Sequence, residues 1–296
     1  MFPGLNSKAI VSGLLLIGLI ALFLVDACLP AYAFVMGSDD RQEINQAESQ
    51  RPEIMQTGII QIADGSFFTG VLMGDNCDVV ISAGHAAIHL QSNEAKGWRR
   101  GQLRGGGKYQ FNPGPGRNRA GPVAMVLVKS GLQNPADIDK DSSDWAVFRL
   151  AQPVSYACKN IRYVANGTSC NGHILMPGFH FDRRNVRLID RSCKIKDSVG
   201  NALVVHDCDT KDGSSGAPLL CEDWTGLKLL AINISGLTLK DYVEPGVYGK
   251  ASRNFDFRNH KNFAVTVHGE FLQALVEELE ASRERKARRL SNAGDD

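Results

Sequence analysis

The stretch DGSSGAPLL, Asp212 to Leu220, sets Ser215 beside Gly216 and two residues after Gly213. Glycines on both sides let the backbone turn sharply and present a hydroxyl next to bare N–H groups. A serine hydroxyl is a poor nucleophile at neutral pH until a base takes its proton, and that base needs a third group to fix its tautomer and stabilise its charge. Two other stretches supply those types. In VVISAGHAA, His85 follows the apolar run Val79 to Ser82 and two small residues, where a strand would end. In DSSDWAVFRL, Asp144 stands at the mouth of an alternating run, whereas Asp141, a competitor for the acid role, does not abut it. In the order His85, Asp144, Ser215, the three types could carry acyl transfer through a covalent serine intermediate. His89 lies four residues after His85, but no HExxH glutamate accompanies it and no CxxC pair occurs, so neither metal nor cofactor is predicted. His173, His180, His206, His260 and His268 are read as structural.

The elements that must position these residues are short. Apolar or alternating runs at Ile59–Ile62, Phe67–Leu72, Asp78–Ser82, Val123–Val128, Trp145–Leu150, His173–Met176 and Leu227–Ile234 are broken by Gly, Asn and Asp. This pattern predicts a mostly antiparallel all-β protein, a sandwich or a pair of barrels. Gly74-Asp75-Asn76 between two such runs reads as a hairpin turn. The stretch from Glu94 to Gly121, rich in Gly, Arg and Pro, reads as a long surface loop. After His268, Phe271, Leu272, Leu275, Val276 and Leu279 recur at three- and four-residue steps, which predicts an amphipathic helix. Its far end, Arg283 to Arg289, carries five cations and one Glu and reads as a solvated end.

A formal net charge of +1 calls for neither nucleic acid nor an acidic membrane as the main partner. Lys8 precedes a 17-residue apolar run, Ala9 to Val25, and Ala31-Tyr32-Ala33 offers a small-x-small cleavage pattern. Residues 1–33 are therefore read as a secretory signal peptide, which predicts a secreted or periplasmic protein. Left uncleaved, the segment would anchor the chain at a membrane. Beyond it remain Cys77, Cys158, Cys170, Cys193, Cys208 and Cys221, an even set that suits disulfides in an oxidising compartment. Residue spacing leaves all the pairings open.

SAGHAA, DWAVFRL and DCDTKDGSSGAP, in that order, resemble the His, Asp and Ser motifs of chymotrypsin-like serine proteases, nearest to the bacterial exported branch that includes the glutamyl endopeptidases. GSDDRQEI, Gly37 to Ile44, resembles the start of mature enzymes in that branch. The resemblance implies two packed six-stranded antiparallel β-barrels, 34–160 carrying His85 and Asp144 and 161–260 carrying Ser215, followed by a C-terminal helix and basic tail over 261–296. It implies an endopeptidase acting on protein or peptide substrates as a monomer, with the N–H groups of Gly213 and Ser215 as oxyanion hole and Ser214 as bystander. Asp209 falls where trypsin-like members hold the pocket carboxylate; Thr210 matches a threonine of the glutamyl enzymes, and Asn233 stands where those enzymes have a pocket-wall histidine. Ile234, Ser235 and Gly236 match the segment that pairs with extended substrate backbone. The absence of an acid before Ser215 makes a trypsin-style zymogen switch unexpected. Cys193–Cys208 and Cys170–Cys221 are the implied pairs, with Cys77–Cys158 remaining. The competing expectation is a catalytically silent binding protein with the same fold.

Overall fold

The computed structural model describes residues 35, 38–114, 121–137, 140–154, 158–236 and 262–292. The expected signal peptide, Gly37, His260 and the stretch 237–261 of the second half lie outside the described residues.

A two-residue strand β1 (Gln42–Glu43) leads through a helical turn, Pro52–Met55, into β2 (Thr57–Ile62), β3 (Phe67–Met73), β4 (Val79–Ser82), β5 (Tyr109–Asn112), β6 (Val123–Ser130) and β7 (Ala146–Leu150). The last six close into a barrel in the order β2-β3-β4-β7-β6-β5, every pair antiparallel. Ile60, Leu72, Val80, Phe111 and Phe148 fill it, each fully buried. β5 lies inside the Gly-, Arg- and Pro-rich stretch expected to be only loop. Four residues suffice, because Tyr109 and Phe111 turn inward while Gln110 stays in solvent, and the barrel closes through them.

The second half comprises β8 (Arg162–Tyr163), β9 (His173–Gly178), β10 (Leu188–Asp190), β11 (Ile195–Val199), β12 (Leu203–His206), β13 (Pro218–Asp223), β14 (Gly226–Gly236) and β15 (Asn262–Thr266). Together with β1 they form a nine-stranded sheet, β1-β10-β9-β13-β14-β15-β12-β11, with β8 parallel to β14. The expected second six-stranded barrel is thus an open, curled sheet among the described residues. β1 precedes the first barrel in the chain yet pairs with β10 of the second sheet. Disulfides join Cys77 to Cys158, Cys170 to Cys221 and Cys193 to Cys208, with Cα–Cα separations of 5.6, 5.7 and 4.5 Å. The pairs are those the sequence suggested, and each closes a loop whose constraint is worth about 2–4 kcal/mol.

The C-terminal helix spans Gly269–Asn292 and is the only long helix among the described residues. Its buried face is Phe271, Ala274, Leu275, Glu278 and Ser282, so the expected apolar stripe turns polar halfway along. Phe271 stacks on Trp145 at 5.2 Å. Glu278 receives both arms of Arg149 at 2.8 Å and one from Arg285 at 2.7 Å. Ser282 donates to Asp78 Oδ1 at 2.5 Å, and Arg285 Nε donates to Asp78 Oδ2 at 2.6 Å. Part of the basic end is thus a clasp onto the first barrel rather than a solvated tail. Burial works against the charge on Asp78, but hydrogen bonds from Arg285, Ser282 and Asn76 outweigh it and hold the carboxyl below its ordinary value. A carboxyl depressed in the folded state stabilises above its unfolded pKa, near 4, and loses that contribution as pH falls further. Asp78→Asn is expected to lower unfolding free energy at pH 7 by about 3–5 kcal/mol, with a smaller difference from wild type at pH 3, measured by urea denaturation with disulfides intact.

Candidate active site

His85 leaves β4 on a tight turn, Gly84–Ala86, and Asp144 caps the turn that enters β7, the strand paired with β4. The neighbouring strands therefore deliver both side chains to one spot. Asp144 accepts from the backbone N–H of His85 through Oδ1 and faces Nδ1 through Oδ2, each at 2.7 Å. An ionised carboxylate can only accept, so Nδ1 carries a proton, and Nε2 is the acceptor in the neutral ring. Asp144, not Asp141, thus faces His85. The ring of Phe68 stands edge-on to His85 at 5.4 Å. His89 is turned away, buried and stacked on Trp98 at 4.5 Å.

Ser215 sits on the turn before β13. Gly213 has φ +95° and Gly216 φ +89°, conformations that L side chains rarely adopt. A Cβ at Gly213 would lie 2.4 Å from Phe67 Cε2, and one at Gly216 1.9 Å from the Thr69 carbonyl oxygen. The turn is fastened to the first barrel: Thr69 N–H donates to the Ser215 carbonyl, and Thr69 Oγ1 donates to the Gly213 carbonyl, both at 2.9 Å. The N–H groups of Gly213 and Ser215 have no acceptor among the described residues. The carbonyls of Asp212 and Ser214 accept from Phe181 N and Ala217 N, and in a trans peptide each following N–H points the opposite way.

The structure joins His85 to Asp144 but leaves the third link unmade. Ser215 Oγ donates to the Ile234 carbonyl at 3.1 Å, and no His85–Ser215 hydrogen bond occurs among the described residues. The Ile234 carbonyl is within reach because a bulge between Asn233 and Ser235 interrupts the ladder to β15.

The residues expected to form the primary pocket face inward. Asp209 is 2% exposed, and its Oδ2 accepts from the backbone N–H of Asp40 at 2.7 Å. Thr210 donates to Asn262 Oδ1 at 3.0 Å. Asn233 is 1% exposed: its amide donates to the Ser214 carbonyl at 3.1 Å, and its oxygen accepts from His206 Nε2 at 3.1 Å. It supports the turn from behind, and Ser214, the expected bystander, is the group it holds. Ser235 and Gly236 end β14 opposite Phe263 and Asn262. Sequence reasoning assigned no role to Thr69 or to the Asn233–His206 link. Neither leaves a local signature, since each acts by where the fold puts it.

Three solved structures align over most of this chain. A Glu endopeptidase in complex with MPD gives a TM-score of 0.57 at 19% identity, covering 83% of this chain and 99% of that one. A thermostable serine protease, AL20, from an extremophilic microorganism gives 0.52 at 17%, covering 79% and 99%. The protease Anisep from Arthrobacter nicotinovorans gives 0.53 at 13%, covering 76% and 95%. The chain has the chymotrypsin-like double-barrel fold. No protein-family profile and no curated protein matches the sequence.

Burial pushes His206 down to about 4, against the hydrogen bond to Asn233, so it is neutral behind the turn. Burial and the nearby Arg41 likewise push His180 down to about 3. A histidine held neutral stabilises fully above its unfolded pKa, near 6.5, and loses that contribution as pH falls toward the folded value. Unfolding free energy should therefore drop between pH 6.5 and 4, with His206 contributing on the order of 3 kcal/mol. His206→Gln should flatten that slope in chemical denaturation; an unchanged slope would contradict it.

Proposed function

We propose that the chain is an exported serine endopeptidase that needs no cofactor. The observation that carries the reading is the double grip of Asp144 on His85, on backbone N–H and on Nδ1, which orients the ring and fixes the tautomer in which Nε2 can act as the base. Rotation of Ser215 about χ1 takes its hydroxyl from the Ile234 carbonyl to another staggered position, a change single side chains make readily. Serine–base hydrogen bonds are often unmade in unliganded sites. Ser215 then attacks the scissile carbonyl as His85 accepts its proton, and the developing oxyanion takes the unspent N–H groups of Gly213 and Ser215. His85 returns the proton to the departing amine, and water hydrolyses the acyl-enzyme by the same route. The three disulfides and the secretory pattern of residues 1–33 support action outside the cytoplasm.

A fluorophosphonate probe tests this on the folded protein. The adduct is expected on Ser215 and absent from Ser215→Ala and His85→Ala, and Asp144→Asn should reduce peptide turnover by about 10⁴-fold. Folded wild type that takes no label would instead mark a silent, protease-like binding protein.

A further inference from the structure

Phe67, whose ring crowds Gly213, is also one wall of a cleft of about 880 Å³ between the β2–β3 hairpin and β5. With the acyl half of a substrate running along Ile234–Gly236, the half that departs as amine must leave past the other wall, which at Gly213 is Phe67. The cleft is the right size for a few side chains, and Ile62, Tyr109 and Met125 give it an apolar floor. Its rim is cationic. Lys108 and Arg184 both line it, and neither has an ion-pair partner among the described residues. No carboxylate lines it among the described residues. Asp64 on the hairpin is taken up by Arg104 at 3.5 Å and by the N–H of Ser66 at 2.9 Å. Arg184 is held in place by stacking: its guanidinium carbon lies 3.6 Å from the centre of the Phe181 ring, itself stacked on Phe67 at 6.0 Å and 12°. Phe181 nevertheless remains 55% exposed. A guanidinium lying on a ring keeps its in-plane N–H donors for a carboxylate.

We infer that this cleft is the subsite for the peptide segment after the scissile bond and that it selects segments carrying Asp or Glu there, read by Lys108 and Arg184. The inference rests on the endopeptidase reading above. Attraction for an acid and repulsion of a base act in the same direction, so discrimination between them doubles the effect of a single pair.

Peptides identical before the cleaved bond, with Glu, Gln or Lys at each of the three positions after it, test this on the full chain. Wild type is expected to favour Glu over Lys by about tenfold in kcat/KM at low salt, with Gln between. The ratio should collapse toward one in 1 M NaCl, where the screening length is about 3 Å. Lys108→Glu combined with Arg184→Glu should invert it. Equal cleavage of the three peptides, or a preference that survives 1 M salt or charge reversal, overturns the subsite. A double variant that fails to fold leaves the wild-type ratio and its salt response to decide. If no peptide is cut and Ser215 takes no phosphonate, the endopeptidase reading fails on its own. The cleft is then judged by anisotropy of fluorescent Glu- and Lys-containing peptides bound to wild type, and equal affinities overturn it.

Discussion

Thr69 is the joint on which this molecule turns. It is fully buried in β3, and it binds the nucleophile turn with both its backbone and its side chain. Its carbonyl accepts from Ser82 Oγ at 2.7 Å, and its hydroxyl accepts from Phe179 N at 3.0 Å. One residue thus sets the height of the Ser215 turn against the barrel that carries His85 and Asp144. Gly216 is required because its Cβ would strike this joint. Arg187 makes a second connection, donating to the Thr57 carbonyl at 2.7 Å and the Pro113 carbonyl at 2.8 Å across the same interface. Each half has its own core, a third apolar cluster runs from Val71 and Ile81 to Ile232 and Val265 across the interface, and the buried polar groups there fix the register, since leaving one unmade costs about 1–3 kcal/mol.

Behind the turn the second sheet is unusually polar for a core. Asp209, Thr210, Asn233, His206 and Asn262 are all at most 2% exposed and are linked to one another or to backbone. The N-terminal segment belongs to this system. Asp40 reaches Asp209, and Arg41 is clamped between Asp39 and Asp182 at 2.8 Å each. Burial lowers the affinity of Arg41 for its proton, but the two carboxylates overcome that and raise it. These hydrogen bonds stiffen the base of the turn, because polar pairs strengthen one another in a low-dielectric interior.

Much of this was legible in the sequence, and the reasons differ. Strands such as β3, β4 and β14 announce themselves by apolar runs between turn residues, and the Gly213–Gly216 turn by glycines that its backbone angles require. His85 and Asp144 were readable because each stands at the end of such a run. β5 was hidden because its two inward residues are surrounded by Gly and Pro. The polar half of the C-terminal helix was hidden because Glu278 and Ser282 look solvated until Arg149 and Asp78 appear opposite them. Asn233 occupies a position read as pocket wall, yet its amide is used internally, since sequence position fixes the strand but not the face a partner such as His206 will claim.

The most direct test is the distance between the two groups that must exchange a proton. A crystal structure of the full chain with a phosphonate trapped on Ser215 would measure it. The account predicts His85 Nε2 within about 2.6–3.2 Å of the serine or phosphonyl oxygen, with a second phosphonyl oxygen on the N–H groups of Gly213 and Ser215 and Thr69 still bound to the turn. A His85 ring remote from that oxygen while the Thr69 joint stays closed would contradict it.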